Sequence, residues 1–217
     1  MKAYSWAERT AGALFLIALV ASIAGGALID GGLADPAGAS ASRNPIVVGV
    51  LLELVNAIAV VGIAAMLWPA LSRQNSALAM GYVGNRIVEA FVQVAASTVP
   101  LAFLSWDPVL ATEGAAAAAL MLALRTHLVG TMLAIFFGLG AVLLYTVVYR
   151  ARLLPRFIPI WGFVGAAGIL AWNVLALFEI QTGMYMALPI ITNELLLGIW
   201  LIVKGFNQPA VTDGTAQ

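Results

Sequence analysis

Apolar residues run along this chain in long blocks, and polar residues collect in the gaps between them. Residues 11–29 are apolar almost without a break, enough to cross a hydrocarbon core of about 30 Å as a helix that rises about 1.5 Å per residue. Five further blocks follow at 46–68, 78–103, 125–148, 158–178 and 185–203. The pattern predicts an all-α polytopic membrane protein: one six-helix transmembrane domain over residues 1–206 with a short polar tail at 207–217. The gaps read as connections. Residues 30–44 are rich in Gly, Ala, Ser and Asp around Asp35 and Pro36, and 105–114 hold Trp106, Asp107, Pro108 and Glu113, so both are expected to be exposed loops. Short turns are expected at 72–76 around Arg73, at the basic stretch 150–156 and at 179–182.

The fourth block is longer than its task. From Ala115 to Tyr149 a helix would run to about 50 Å, so the surplus is expected to sit at one edge, with the run 115–119 in or above the headgroups. That places Arg125 and His127 near the lipid edge. They stand two residues apart, about 200° round a helix, and cannot both face the bundle interior. Gly162, Gly165 and Gly168 form a small-residue series suited to close helix packing, and Gly81 and Gly84 are expected to act in the same way. Pro189 should free the carbonyl of Tyr185 and kink the sixth span. Lys2 and Arg9 ahead of the first block, with Ala39-Ser40-Ala41 after it, also allow a cleaved signal peptide. The block is longer than the roughly 7–15 apolar residues of such a signal and the small-residue motif lies far beyond it, which favours a retained helix.

Composition agrees with the blocks and narrows the chemistry. Of 217 residues, 63% are hydrophobic and 9% charged, and mean hydropathy is +1.01, which leaves no stretch for a sizeable soluble domain. The formal charge is +0, so there is no basic stripe to bind nucleic acid. With no cysteine and one histidine, the chain offers neither a thiolate nor a His-rich metal site. Lys2, Arg9, Arg73, Arg150, Arg152, Arg156 and Lys204 fall on the side of the termini and Arg43 on the other, so the expected orientation has both ends cytoplasmic. The lipid bilayer is thus the expected partner, and a chain of this size could work alone or as an oligomer.

Against this apolar background, polar residues inside the spans stand out. Arg86, Glu89 and Gln93 share one face of the third span, with Asn85 beside them, and Glu53 and Asn56 share one face of the second. Counting from span midpoints puts Glu89 and Glu194 near the bilayer centre with Asn56 and Asn193 beside them. Arg86 falls about one turn to the inner side, and Glu53, Gln93 and Asn173 about one turn to the outer side. A charged side chain in hydrocarbon costs from about 2.5 to more than 10 kcal/mol, so these groups must face the bundle interior or water. Three glutamates against Arg86 leave excess negative charge, which calls for a protonated carboxyl or a bound cation.

The reading favoured by this cluster is a mid-membrane pocket of Glu53, Asn56, Arg86, Glu89, Gln93, Asn173 and Glu194, binding or transporting a small molecule, an ion or protons. Asn85, His127, Trp172 and Asn193 are secondary members. Two other readings stay open: an intramembrane enzyme acting on a lipid or quinone, and a structural membrane protein whose buried charges only clamp the helices. Serines such as Ser22 and Ser97 lack an acid–base partner in any recognised motif, and no phosphate loop, metal site or cofactor motif is present, so an enzyme is the less favoured reading.

The stretches AERTAGALFLIALVASIAG, GYVGNRIVEAF, RARLLPRFIPIWGFVGAAGIL and ITNELLLGIWLIVKGF together resemble the bacterial six-helix membrane proteins of the domain-of-unknown-function family four-three-eight-six. The most specific parts are Arg86 with Glu89, Leu154-Pro155, and Glu194 leading into 200–205. The resemblance implies the six-helix architecture and a bacterial plasma membrane, and it adds no catalytic residue and no cofactor.

Overall fold

The computed structural model describes residues 6–33, 43–105, 111–180 and 182–207. The motif Ala39-Ser40-Ala41, Asp35, Pro36, Trp106, Asp107, Pro108 and the tail from 208 onward lie outside the described residues. Every described element is helical: α1 Trp6–Leu33, α2 Arg43–Ser72, α3 Ser76–Leu104, α4 Ala111–His127, a π-helical stretch Leu128–Leu133, α5 Ala134–Arg150, α6 Phe157–Leu177, a 3₁₀ turn Met184–Ala187 and α7 Leu188–Val203. Six helices are long and apolar enough to cross a membrane, the fourth of them running Ala119–Arg150 through the π-helical stretch. The chain is a multi-pass membrane protein.

The helices form a closed ring of neighbours in the order α1, α2, α3, α5, α6, α7 and back to α1. Phe206 donates its backbone N–H to Glu8 at 3.0 Å, which brings the two ends of the described chain together at one side of the bundle, as an even number of spans requires. Small residues set where the ring is tight. A Cβ on Gly12 would lie 2.6 Å from the carbonyl oxygen of Gly198, so α1 and α7 touch backbone to backbone near the terminal side. Toward the opposite side α1 leans on α2 instead, where a Cβ on Gly49 would lie 2.8 Å from the Gly25 oxygen. There α7 leans on α6, where a Cβ on Gly165 would lie 2.6 Å from the Ile190 nitrogen.

Several expectations change. Gly165 and Gly168 do allow close approach, but Gly84 is exposed with open space around it and Gly81 makes only ordinary contact with the Leu143 side chain, because no neighbouring backbone packs on that face of α3. Pro189 lies in the first turn of α7, where no intrahelical bond is lost, and the Tyr185 carbonyl accepts the N–H of Leu188, so neither kink nor free carbonyl results. Residues 111–114, expected in a loop, already belong to α4, and residues 30–33 to α1.

The largest departure is the π-helical stretch inside the fourth span. Each residue of a π-helix turns the chain by roughly 80° where an α-helix turns it by roughly 100°, so six of them take back about one residue of rotation. Arg125 and Phe137 would lie about 120° apart on an unbroken α-helix, and the π stretch brings them to nearly one face. Arg125 is therefore turned into the bundle, where it is 6% exposed, rather than toward the headgroups. His127 points outward.

The close approaches make a direct test. Gly49→Val should lower stability by about 1–3 kcal/mol, since α1 and α2 must move apart. Gly26→Ala, which meets nothing within 4 Å, should leave it unchanged or slightly raised. Thermal unfolding of the two variants in the same detergent compares them.

Candidate functional site

The inward face of α3 carries Arg86, Glu89, Gln93 and Ser97, all buried, at intervals of three and four that stack them along one side of the helix. Two ion pairs form on this face at two depths. In the first, Arg86 Nη1 donates to both carboxylate oxygens of Glu89 at 2.9 Å. Its Nε donates to the Tyr82 hydroxyl at 3.3 Å, and its guanidinium carbon lies 5.3 Å from the Tyr82 ring centre and 5.7 Å from that of Phe137. The i, i+3 spacing lets α3 neutralise its own charge.

The second pair lies about two turns further from the termini. Arg125 Nη2 donates to Glu53 at 2.7 Å, and Ser97 donates its hydroxyl to the other Glu53 oxygen at 2.6 Å. Arg125 Nη1 reaches Glu53 at 3.3 Å and the Ala96 carbonyl at 3.4 Å, with the exposed Asp30 3.9 Å from Nε. Glu53, expected beside Arg86 and Glu89, belongs to this separate pair. The reason is the π-helical stretch, whose altered rotation supplies Glu53 with a cation of its own. Gln93 lies buried between the two layers, and its backbone carbonyl, 2.9 Å from the Ser97 oxygen, shares that hydroxyl's one proton with Glu53.

The asparagines have separate duties. Asn193 is wholly buried, donates to the Ile158 carbonyl at 2.9 Å and accepts the Tyr145 hydroxyl, so it ties α7 to α6 and α5. Asn85 donates to the Phe136 carbonyl at 2.8 Å and ties α3 to α5. Asn173 donates to the Ile169 carbonyl one turn back on its own helix at 2.7 Å, and Trp172 packs on the apolar core. None of these four, nor His127, lines the cavity around Arg86.

That cavity has a volume of about 250 Å³. Its polar lining is Ser22, Asn56, Arg86, Glu89 and Glu194; its apolar walls include Phe15, Leu19, Val129, Leu133 and Phe137. Asn56, Arg86, Glu89 and Glu194 were expected to meet. Ser22 and the whole contribution of α1 were not, because Ser22 stands alone in an apolar helix and a lone serine carries no pattern. The fourth span also enters unexpectedly, through the π-helical stretch, whose register an α-helical count cannot give.

Besides the uncharged side chains of Ser22 and Asn56, two charge-bearing groups lining this space lack partners among the described residues. Glu194 makes no hydrogen bond or ion pair among the described residues, and Arg86 Nη2 has no hydrogen-bond partner among them either, its Nη1 and Nε being the atoms engaged. The cavity also reaches an outer wall. Of its lining residues, Ser22 and Ile23 of α1 are exposed, the latter 58%, and Ile191 and Glu194 of α7 are half-buried.

The paired and unpaired carboxyls should respond differently to loss of charge. Glu53→Gln should cost about 3–5 kcal/mol because it leaves the buried Arg125 with only the exposed Asp30, 3.9 Å away, and a second change, Arg125→Met, should recover most of that loss. A double-mutant cycle on thermal stability measures the coupling.

No curated protein and no solved structure matches the chain. Residues 10–205 match the family described as Domain of unknown function (DUF4386), a span that takes in all six membrane helices apart from the first few residues of α1 and carries Arg86, Glu89 and Glu194. The chain belongs to that family.

Proposed function

We propose that this is a ligand-binding protein of a bacterial cell membrane, with both termini cytoplasmic, whose site is the mid-membrane cavity between Arg86, Glu89, Asn56, Ser22 and Glu194. The basic residues on the side of the termini support the orientation. One observation carries the site: Glu194, near the midpoint of its span, lines a cavity and makes no hydrogen bond or ion pair among the described residues, while Glu53 and Glu89 each pair with an arginine. A carboxyl kept only for stability would be paired or replaced by an apolar residue of similar size, since an unpartnered polar group in an apolar surround only destabilises. A largely apolar cavity with a few convergent polar groups is what small-molecule sites look like. Glu53, Arg125, Ser97 and Asn193 act as clamps that hold the helices around it.

Two measurements test this together. Glu194→Gln should leave thermal stability within about 0.5 kcal/mol of the parent, because no partner is lost. Native mass spectrometry of protein released from membranes should show a bound small molecule that disappears in Ala134→Phe, a cavity-filling change. A clear loss of stability in Glu194→Gln would make Glu194 a clamp. An adduct carried equally by Ala134→Phe, or by neither protein, would overturn the site.

A further inference from the structure

The chemistry of the occupant follows from three features of the cavity, and rests on the reading of it as a binding site. The first is its charge. Arg86 and Glu89 cancel, and Glu194 is left over. The charged or titratable groups facing Glu194 are Arg86, Glu89 and Tyr82 from α3 and Tyr145 from α5. On the adjoining α1 the cavity is lined by Ser22 and apolar residues, α6 contains no titratable residue, and α2 contributes Asn56 beside apolar residues. No spare cation is at hand to support an ionised Glu194 in the middle of the hydrocarbon, so the uncharged acid is the form that suits the site. In that form Glu194 is a hydrogen-bond donor.

The second feature is the matching donor on the opposite wall. Arg86 is 2% exposed, its Nη1 and Nε are engaged, and Nη2 keeps donors to spare. Two donors, Arg86 Nη2 and the Glu194 acid, thus line one space, and the only other polar side chains there besides the paired Glu89 are Asn56 and Ser22, each of which can donate or accept. A bound anion would add to the charge of Glu89, and a bound cation would leave the arginine donors unmet and face their repulsion. An uncharged acceptor satisfies both donors and leaves the site neutral.

The third is the route in. The cavity lining takes in exposed Ser22 and Ile23 of α1 and half-buried Ile191 and Glu194 of α7, and Ile23 lies only about 5 Å along α1 from that helix's midpoint. At that depth the surroundings are lipid chains, not water. A volume of about 250 Å³ is smaller than the roughly 300–1,000 Å³ of drug-sized pockets, so it takes a head group or a single ring and leaves any tail in the bilayer.

We propose that the cavity binds the carbonyl-bearing head of an uncharged, lipid-soluble amphiphile of the quinone type, which enters sideways between α1 and α7 and accepts hydrogen bonds from Arg86 Nη2 and the acid form of Glu194. Binding makes and breaks no covalent bond. Ser22 and Ile23 form the entrance, and Phe15 and Phe137 are part of the apolar wall around the head.

The full chain in phospholipid nanodiscs, titrated with radiolabelled decylubiquinone, tests this. Glu194→Gln keeps a donor and should bind within about threefold of the parent, whereas Glu194→Leu keeps none and should bind about tenfold or more weakly. Raising the pH should weaken binding to the parent, as the acid loses its proton, and should not affect Glu194→Gln. Equal binding by Glu194→Leu, or binding to the parent that does not change with pH, would overturn the proposal. So would preference for a lipophilic amine such as dodecylamine that tightens with rising pH and is lost in Glu194→Gln. That last result would still leave the cavity as a site, since Ala134→Phe would block the amine as well. If decylubiquinone and dodecylamine both bind Ala134→Phe as well as the parent, the site and the inference fail together.

Discussion

The bundle depends on one constraint: in hydrocarbon, a charge must meet its counter-charge inside the protein. Arg86 and Glu89 meet it within α3, one turn apart, so that helix carries its own compensation whichever neighbour it packs against. Glu53 cannot do so, since no basic residue lies within a turn of it on α2. Its partner comes from 72 positions away, and Arg125 reaches it only because α4 is docked along α3 and turned inward. The first pair is local and the second is a long-range tie, so the second is the one that fixes where the fourth span sits.

That tie explains the π-helical stretch. Had the fourth span been α-helical throughout, directing Arg125 at Glu53 would have swung Phe137 about 120° away from Arg86, and the α5 face that packs on α3 and α6 would have turned with it. The local underwinding at Leu128–Leu133 lets both halves of one long helix meet their own partners. It also takes the place of a regular packing ridge with Val129, Leu133 and Ala134, which wall the cavity instead of filling it. The void beside Arg86 and the ion pair at Glu53 are two consequences of one change in helical register.

This is why the fold was readable and the site only partly so. Each span is announced by some twenty apolar residues, a signal that survives errors of a few positions, and the helix bounds differ from the expected ones mainly by extending further into the flanks. The grouping of Asn56, Arg86, Glu89 and Glu194 was likewise legible, because depth in a membrane can be counted along each helix from its ends. Direction round the helix axis cannot be counted when an unseen π turn intervenes, and so the sequence leaves open which of Arg125 and His127 turns inward and groups Glu53 with Arg86 and Glu89 rather than with Arg125. Asn173 had the right depth and an inward face but spends its amide on its own helix, a choice that spacing does not reveal. Ser22 left no trace in the pattern at all.

Clamp and site are therefore separable by one property that sequence does not display, which is whether a buried polar atom already has a partner. Asn193 is more deeply buried than Glu194 and adjacent to it in the chain, yet its amide is bound on both sides and it can offer a ligand nothing without letting go of Ile158 or Tyr145. Glu194, turned about 100° from it round α7, faces open volume. The same helical turn thus holds a lock and a vacancy, and the lock keeps the vacancy from collapsing: α7 cannot close on α1 at that level while Asn193 fastens it to α5 and α6. The unpartnered Nη2 of Arg86 and carboxyl of Glu194 persist because the satisfied bonds beside them hold the walls apart.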